Sequence, residues 1–260
     1  MRQILPSLFL EAADTDERFL VLSGDHGYEL FDALRSRYPD RLVNVGVSEQ
    51  SMVGIAAGLC RTGFHPCIYG LAAFVPMRVL EQVKIDLCYG SLPVIVLGDG
   101  AGLTYSMLGA SHQCGEDVAC LRPLPNIAIY SPCDAHEFRA CWIEARGGNH
   151  PSYLRIGKDH PDDIHSGPVC LIPLLADAQR VAVLEEHVSA GGLWSLVLEM
   201  LQSAGTMQPS NIEPIGLRDS FTQTAGDYQH ALSEHGLADG QVANRLTQWL
   251  QGSLRTDDRG

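Results

Sequence analysis

The sequence predicts an α/β fold: a doubly wound, mostly parallel sheet followed by a smaller α/β domain. Three observations carry this expectation. Apolar runs of strand length alternate with helical segments from the N-terminus to Arg155. The run Pro93-Val94-Ile95-Val96-Leu97 is apolar at every position, as a strand covered on both faces must be. A polar, proline-containing stretch, residues 158–168, then separates this region from a second and shorter strand–helix pattern. The expected domains are residues 1–160 and 169–254.

The elements follow in order. Residues 1–11 read as an amphipathic helix, since one basic residue and a proline-interrupted apolar run make a poor signal peptide. Phe19–Leu22 is the first strand, and a helix runs from about Glu29 to Tyr38, where Pro39-Asp40 breaks it. Leu42–Val45 is the second strand, followed by a helix over residues 49–62. Pro66–Tyr69 is the third strand, and a long helix is expected from Pro76 to Tyr89. The Pro93–Leu97 strand opens into a glycine-rich loop, 98–112, and a helix near 115–122. Strands at Ile127–Tyr130 and Ser152–Arg155 flank a helix from Ala135 to Arg146. In the second domain, strands Val181–Leu184 and Ile212–Leu217 enclose a helix over 193–204, and a helix near 239–251 ends the fold.

Composition narrows the function. The chain has 260 residues, 45% hydrophobic and 19% charged, which is ordinary for a soluble globular protein. A net charge of −13 argues against nucleic-acid or anionic-membrane surfaces, which need basic patches. Eight cysteines are scattered with no Cys-x-x-Cys pair, several inside apolar runs, which suggests a reducing, cytoplasmic compartment. No apolar stretch is long enough to span a membrane.

The most informative stretch is Val45-Gly46-Val47-Ser48-Glu49-Gln50-Ser51-Met52-Val53-Gly54. It sets one carboxylate, Glu49, where a strand ends and a helix of small and apolar residues begins. That is the usual place for chemistry in an open α/β sheet. Apolar surroundings favour a neutral or proton-sharing carboxyl, which can hydrogen-bond a ring nitrogen. The bland alternative is an acid in the first turn of a helix.

This stretch resembles the glutamate motif of the pyrimidine-binding domain of transketolase-like, thiamine diphosphate enzymes. The resemblance extends to about residue 250 through ordered blocks. They are Tyr38–Leu59, Ala72-Ala73-Phe74-Val75, Leu108–Gln113 with Leu121–Asn126, Ser131–Asp134, and Val183–His187 with Gly191-Gly192-Leu193. The chain is most similar to the C-terminal subunit of split, two-gene transketolases. The resemblance implies that Glu49 binds the cofactor's aminopyrimidine and helps generate its thiazolium ylid. It implies that Phe74 stacks on the pyrimidine, with Leu71 and Met77 lining the same pocket. His112 matches a substrate-side proton-transfer histidine and Arg155 a position that grips a sugar phosphate. Glu186 and His187 match structural residues.

Two departures from the family shape the expectation. No diphosphate-binding domain is present; thiamine diphosphate and its magnesium ion then require a partner, an N-terminal transketolase-like subunit, with two copies of each chain. Gly98-Asp99-Gly100 with Asn126 imitates the metal motif of that missing domain. It lies, however, at the end of the strand that leads into the substrate-side loop, and no metal ligand is assigned here. The C-terminal domain is also shortened, since only Val169–Arg180 stand where relatives have a strand–helix unit. Gly100 and Leu108 replace a histidine and an acidic residue of sugar transketolases, which argues against an ordinary pentose phosphate substrate. The function expected is transfer of a two-carbon ketol, or related acyl, unit between carbonyl compounds. Alternatives are the β subunit of a 2-oxo acid dehydrogenase and a non-catalytic assembly or regulatory paralogue.

Overall fold

The computed structural model describes residues 1–158, 175, 178, 180–205 and 211–252. Nearly all of the linker expected at 158–168 and most of the shortened Val169–Arg180 stretch lie outside the described residues. The chain forms two compact units, Met1–Ala101 with Cys120–Pro168, and Gly102–Ala119 with Val169–Gly260.

The first unit carries a six-stranded, wholly parallel sheet. Its elements are α1 (Leu5–Thr15), β1 (Phe19–Ser23), α2 (Asp32–Arg37), β2 (Leu42–Asn44), α3 (Glu49–Arg61) and β3 (His65–Leu71). After the segment Met77–Cys88 come β4 (Ile95–Asp99), α5 (Asp117–Leu121, whose first three residues count with the second unit), β5 (Ala128–Tyr130), α6 (Ala135–Gly147) and β6 (Ser152–Ile156). The strand order is β2-β1-β3-β4-β6-β5. Parallel strands need crossovers, and the intervening helices supply them on both faces.

Strand alternation sorts the core into two layers. Phe19, Val21, Cys67, Tyr69, Ile95, Leu97 and Leu154 pack with α1, α2 and α6 residues such as Phe9, Leu34 and Trp142. Leu20, Leu22, Ile68, Val96 and Tyr153 face the other way, onto Met52, Val53 and Ala56 of α3 and onto Val83 and Leu87. Both faces are therefore apolar, which is why β1 and β4 are buried at every position.

The sequence expectation is corrected in three places. The helix after Tyr28 starts only at Asp32, because Glu29 takes a left-handed conformation (φ 64°) and Leu30 closes a turn onto the Tyr28 carbonyl. The helix expected over Pro76–Tyr89 is not regular. It is a 3₁₀ turn Met77–Val79, an α turn Leu80–Gln82 and a π segment Val83–Cys88, where the Tyr89 amide bonds the Lys84 carbonyl five residues back. Val79, Val83, Leu87 and Cys88 are all buried along this segment. A helix near residue 230 was not foreseen.

In the second unit, β7 (Val181–Val188) and β8 (Ile212–Leu217) pair in parallel as a two-stranded sheet. The helices are α7 (Leu193–Ala204), α8 (Tyr228–His235) and α9 (Asp239–Leu250). The unforeseen α8 is capped by the Asp227 carboxylate, which accepts the His230 amide, and ends at Gly236 in the left-handed region. The loop 102–119 is sewn to this unit. The Leu103 amide donates to Glu186 at 3.1 Å, and the Val188 amide to the Gly115 carbonyl at 2.7 Å. Leu103 packs against Ile215 and Leu217.

Candidate active site

An open parallel sheet binds ligands beyond the carboxyl ends of its strands, where neighbouring strands send their chains in opposite directions. Here β1 has β2 on one side and β3 on the other, so that crevice lies at the β1/β3 boundary. The loops after β1, β2 and β3 supply its residues.

The loop after β2 is tightly braced. The Val45 amide donates to the Ser23 carbonyl at 2.9 Å, and the Asn44 side-chain oxygen accepts the amides of Gly46 and Asp25. Gly46 turns with φ 72°, a conformation natural only to glycine. Gly24 leaves room for this turn, since a β-carbon there would lie 3.2 Å from the Gly46 carbonyl oxygen. The result sets Glu49 as the first residue of α3, only 4% exposed.

The loop after β3 brings the aromatic partner. The Leu71 carbonyl accepts the amides of both Phe74 and Val75, and the Phe74 carbonyl accepts that of Arg78. Gly70 permits this, because a β-carbon there would press on buried Val75 at 2.8 Å. The turn places the Arg78 guanidinium 3.8 Å from the Phe74 ring centroid. The same Nη1 donates to both carboxylate oxygens of Glu49, each at 3.1 Å. The expected apolar setting of Glu49 is thus corrected: a guanidinium lies against its carboxylate. Twenty-nine residues separate the two in sequence, which hid the pairing. Leu71 ends β3 and half-buried Met77 opens the 3₁₀ turn.

The loop after β1 adds His26, a residue the sequence reading missed. Its ring lies 6.1 Å from the Phe74 ring, tilted by 38°. The Ser23 hydroxyl donates to the His26 carbonyl and accepts the His26 amide, fixing the backbone. Its Nε2 is buried and has no hydrogen-bond partner among the described residues. A buried polar atom without a partner costs free energy unless a ligand or water satisfies it.

The remaining expected positions are placed as follows. Half-buried Arg155 lies on β6, in register with Gly98 of β4. His112 belongs to the second unit, in the 3₁₀ turn Ala110–His112, with Ser111 Oγ 3.0 Å from its Nδ1. Glu186 and His187 serve the fold there. Glu186 also accepts from the Tyr228 hydroxyl, and His187 Nε2 accepts the Ala119 amide at 3.3 Å. Gly100, also at positive φ, donates its amide to the Ile156 carbonyl, and Leu108 is exposed.

Asp99, the carboxylate of the metal-motif lookalike, is buried and engaged. It accepts from the Tyr69 hydroxyl at 2.5 Å and from Arg2 Nε at 3.1 Å. Burial and the Asp99 charge both push the Tyr69 phenol well above its usual range, so it stays a donor. Gly98 is needed for a different reason: a β-carbon there would lie 2.7 Å from Cε2 and 2.8 Å from Cζ of Tyr153. Among the described residues, no group of three or more His, Cys, Asp or Glu side chains is set to hold a metal ion.

Comparison with known proteins follows the same line. The family model for the pyrimidine binding domain of transketolase matches residues 1–161. The chain belongs to the transketolase pyrimidine-binding family. Within curated proteins, this family member is 38% identical to a subunit of the apulose-4-phosphate transketolase of Phocaeicola vulgatus over 154 residues, 59% of the chain and 47% of that relative. It is 32% identical to a 6-deoxy-6-sulfo-D-fructose transketolase subunit of Clostridium sp. over 157 residues, 60% of the chain and 49% of that relative. The matches thus span about half the length of these relatives. Among solved structures, a split-gene transketolase described as an inactive β4 tetramer superposes with TM-score 0.79 at 24% identity. It covers 96% of this chain and 98% of its own. At that identity the likeness speaks for the fold. It takes in nearly the whole of both chains. Among the described residues, no helix is long and apolar enough to cross a membrane.

The site's residues fit the pyrimidine end of thiamine diphosphate. Such a ring needs an aromatic face, a carboxylate in its plane and polar atoms at its edge. Phe74, Glu49 and the unsatisfied His26 Nε2 are of those kinds; His26 and Phe74 lie on the loops after β1 and β3, and Glu49 opens α3 after β2.

Proposed function

We propose that this chain is the pyrimidine-binding subunit of a heteromeric, thiamine diphosphate-dependent transketolase-like enzyme. It takes part in transferring a two-carbon ketol, or related acyl, unit between carbonyl compounds. The observation that carries the reading is the convergence of Glu49, Phe74 and His26 at the β1/β3 switch point of a transketolase-family sheet. Bound thiamine diphosphate supplies the nucleophilic carbon that makes and breaks carbon–carbon bonds. Glu49 holds or gives up a proton at the pyrimidine ring nitrogen, and Phe74 fixes the ring plane. Leu71 and Met77 complete the apolar wall. His112 moves protons at the substrate oxygens and Arg155 holds an anionic substrate group.

The diphosphate and its magnesium ion belong to a partner subunit in this reading, with two copies of each chain. Engagement of Asp99 by Tyr69 and Arg2 supports it, because the one metal-motif lookalike is spent on the fold. The relatives' names, both transketolase subunits, support it as well. A cytoplasmic setting is part of the proposal, in keeping with the described cysteines, none of which is in a disulfide. The test is Glu49→Ala and Glu49→Gln in the complex reconstituted with its partner. Turnover should fall by about a hundredfold or more, as for loss of a general acid–base group, with the circular dichroism spectrum kept. Turnover at the wild-type level would refute the assignment.

A further inference from the structure

Arg78 does to Glu49 and Phe74 what an aminopyrimidine would have to do. A guanidinium is flat and carries its N–H donors in its own plane. Here the plane's central carbon is at stacking distance from Phe74, 3.8 Å, while Nη1 bridges both Glu49 oxygens. An aminopyrimidine is likewise flat, with polar atoms in its plane. Under the reading of Glu49 and Phe74 as the pyrimidine site, on which this inference rests, it needs the same two partners. The bridging Nη1 already takes the carboxylate edge.

We propose that Arg78 is a self-ligand of the pyrimidine site, present in the free chain and expelled when the cofactor's pyrimidine enters. Expulsion requires no rearrangement of the core. The Arg78 side chain is 46% exposed, so it leaves by a rotamer change into solvent. Its backbone stays fixed, the amide on the Phe74 carbonyl and the carbonyl receiving Gln50 Nε2 at 3.4 Å. The self-ligand lowers affinity for the pyrimidine by the population of the open rotamer. A half-exposed ion pair and one cation–π contact set that factor at roughly threefold to thirtyfold.

The experiment uses the full chain and a neutral probe, the hydroxymethyl-aminopyrimidine half of thiamine, so that charge repulsion by Arg78 plays no part. Binding is measured by calorimetry for wild type, Arg78→Ala, Arg78→Lys and Glu49→Ala. Arg78→Ala should bind roughly threefold to thirtyfold more tightly than wild type. Arg78→Lys, charged but unable to cover the ring, should fall between them, and Glu49→Ala should bind most weakly. In wild type labelled with nitrogen-15 arginine, the Arg78 guanidinium signal, assigned by its loss in Arg78→Lys, should move to that of a solvent-exposed arginine on adding the probe. If Arg78→Ala binds no better than wild type while Glu49→Ala abolishes binding, the pyrimidine site stands and the self-ligand is overturned. If the probe binds none of the four, or binds Glu49→Ala as well as wild type, the pyrimidine site itself is overturned, and the self-ligand with it.

Discussion

Gly98→Ala tests whether the Gly-Asp-Gly sequence at the end of β4 serves the fold or a metal. Tyr153 is fully buried on the neighbouring strand β6, and its ring lies across Gly98. A methyl group at 98 would meet Cε2 and Cζ at 2.7 and 2.8 Å, and the hydroxyl oxygen closer still. Real β-carbons essentially never approach that closely, and a ring held on all sides cannot swing away. Overpacking of this kind costs about 1–3 kcal/mol. For a chain of this size, each kcal/mol moves the thermal midpoint by about 2–4 °C, so the loss should be roughly 2–12 °C. The assay is thermal unfolding followed by circular dichroism, with magnesium titrated calorimetrically into the same protein. The double variant Gly98→Ala, Tyr153→Leu should regain stability relative to the sum of the single changes, because the two sites share one contact. Calorimetry should show the same magnesium response before and after the change. A midpoint within about 1 °C of wild type, corresponding to less than 0.5 kcal/mol, would refute the packing argument. So would a magnesium isotherm that vanishes with the methyl group.

Other consequences can be measured as directly. His26→Leu should lower kcat/KM of the reconstituted complex by about tenfold, the value of one hydrogen bond to a buried group, while the thermal midpoint holds or rises; an unchanged kcat/KM would remove His26 from the site. Asp99→Asn should cost about 1–3 kcal/mol, since Arg2 and Tyr69 both donate to that carboxylate, readable by urea unfolding. Burial pushes the pKa of His235 down from its ordinary 6.5. The unfolded chain therefore takes up a proton below about 6.5 that the folded chain refuses. Stability of the second unit is full above that pH and falls as pH drops through it. Tryptophan fluorescence melts between pH 5 and 8, compared with His235→Gln, should show this slope in wild type alone.

The sheet was legible because its strands are short apolar runs bounded by glycine, proline and charge, and β1 and β4 are covered on both faces. What escaped has local causes. The late start of α2 rests on the left-handed Glu29, which composition does not announce. The π segment Val83–Cys88 keeps the same buried positions as an α-helix with one residue inserted, so periodicity could not separate the two. The helix Tyr228–His235 had its signals, Asp227 at the cap and Gly236 after the end, but only two fully buried residues to mark it. Within the site, Glu49 and Phe74 stood out through motif context. Arg78 did not, although it follows Phe74 at helical spacing, where side chains share a face. His26 had no pattern at all; only its place at the carboxyl end of β1, beside the switch point, marks it.

The two-stranded second sheet has a physical reason to persist. A loop such as 102–119, with three glycines and little regular structure, cannot hold its own shape against the entropy of ordering it. The second unit supplies that hold through unlike interactions: the Glu186 carboxylate on the Leu103 amide, the Gly115–Val188 backbone bond, the His187 ring on the Ala119 amide and the Thr222 hydroxyl on Gln113 at 2.6 Å. Thr222 in turn meets His235 Nε2, whose ring accepts the Arg218 amide at Nδ1. Uncharged, that ring donates from Nε2 and accepts at Nδ1, so the chain of bonds closes only with His235 neutral, as its lowered pKa favours. His112 sits in the middle of this fastened loop. A sheet of two strands is therefore enough to hold this loop, provided one of them carries Glu186 and His187.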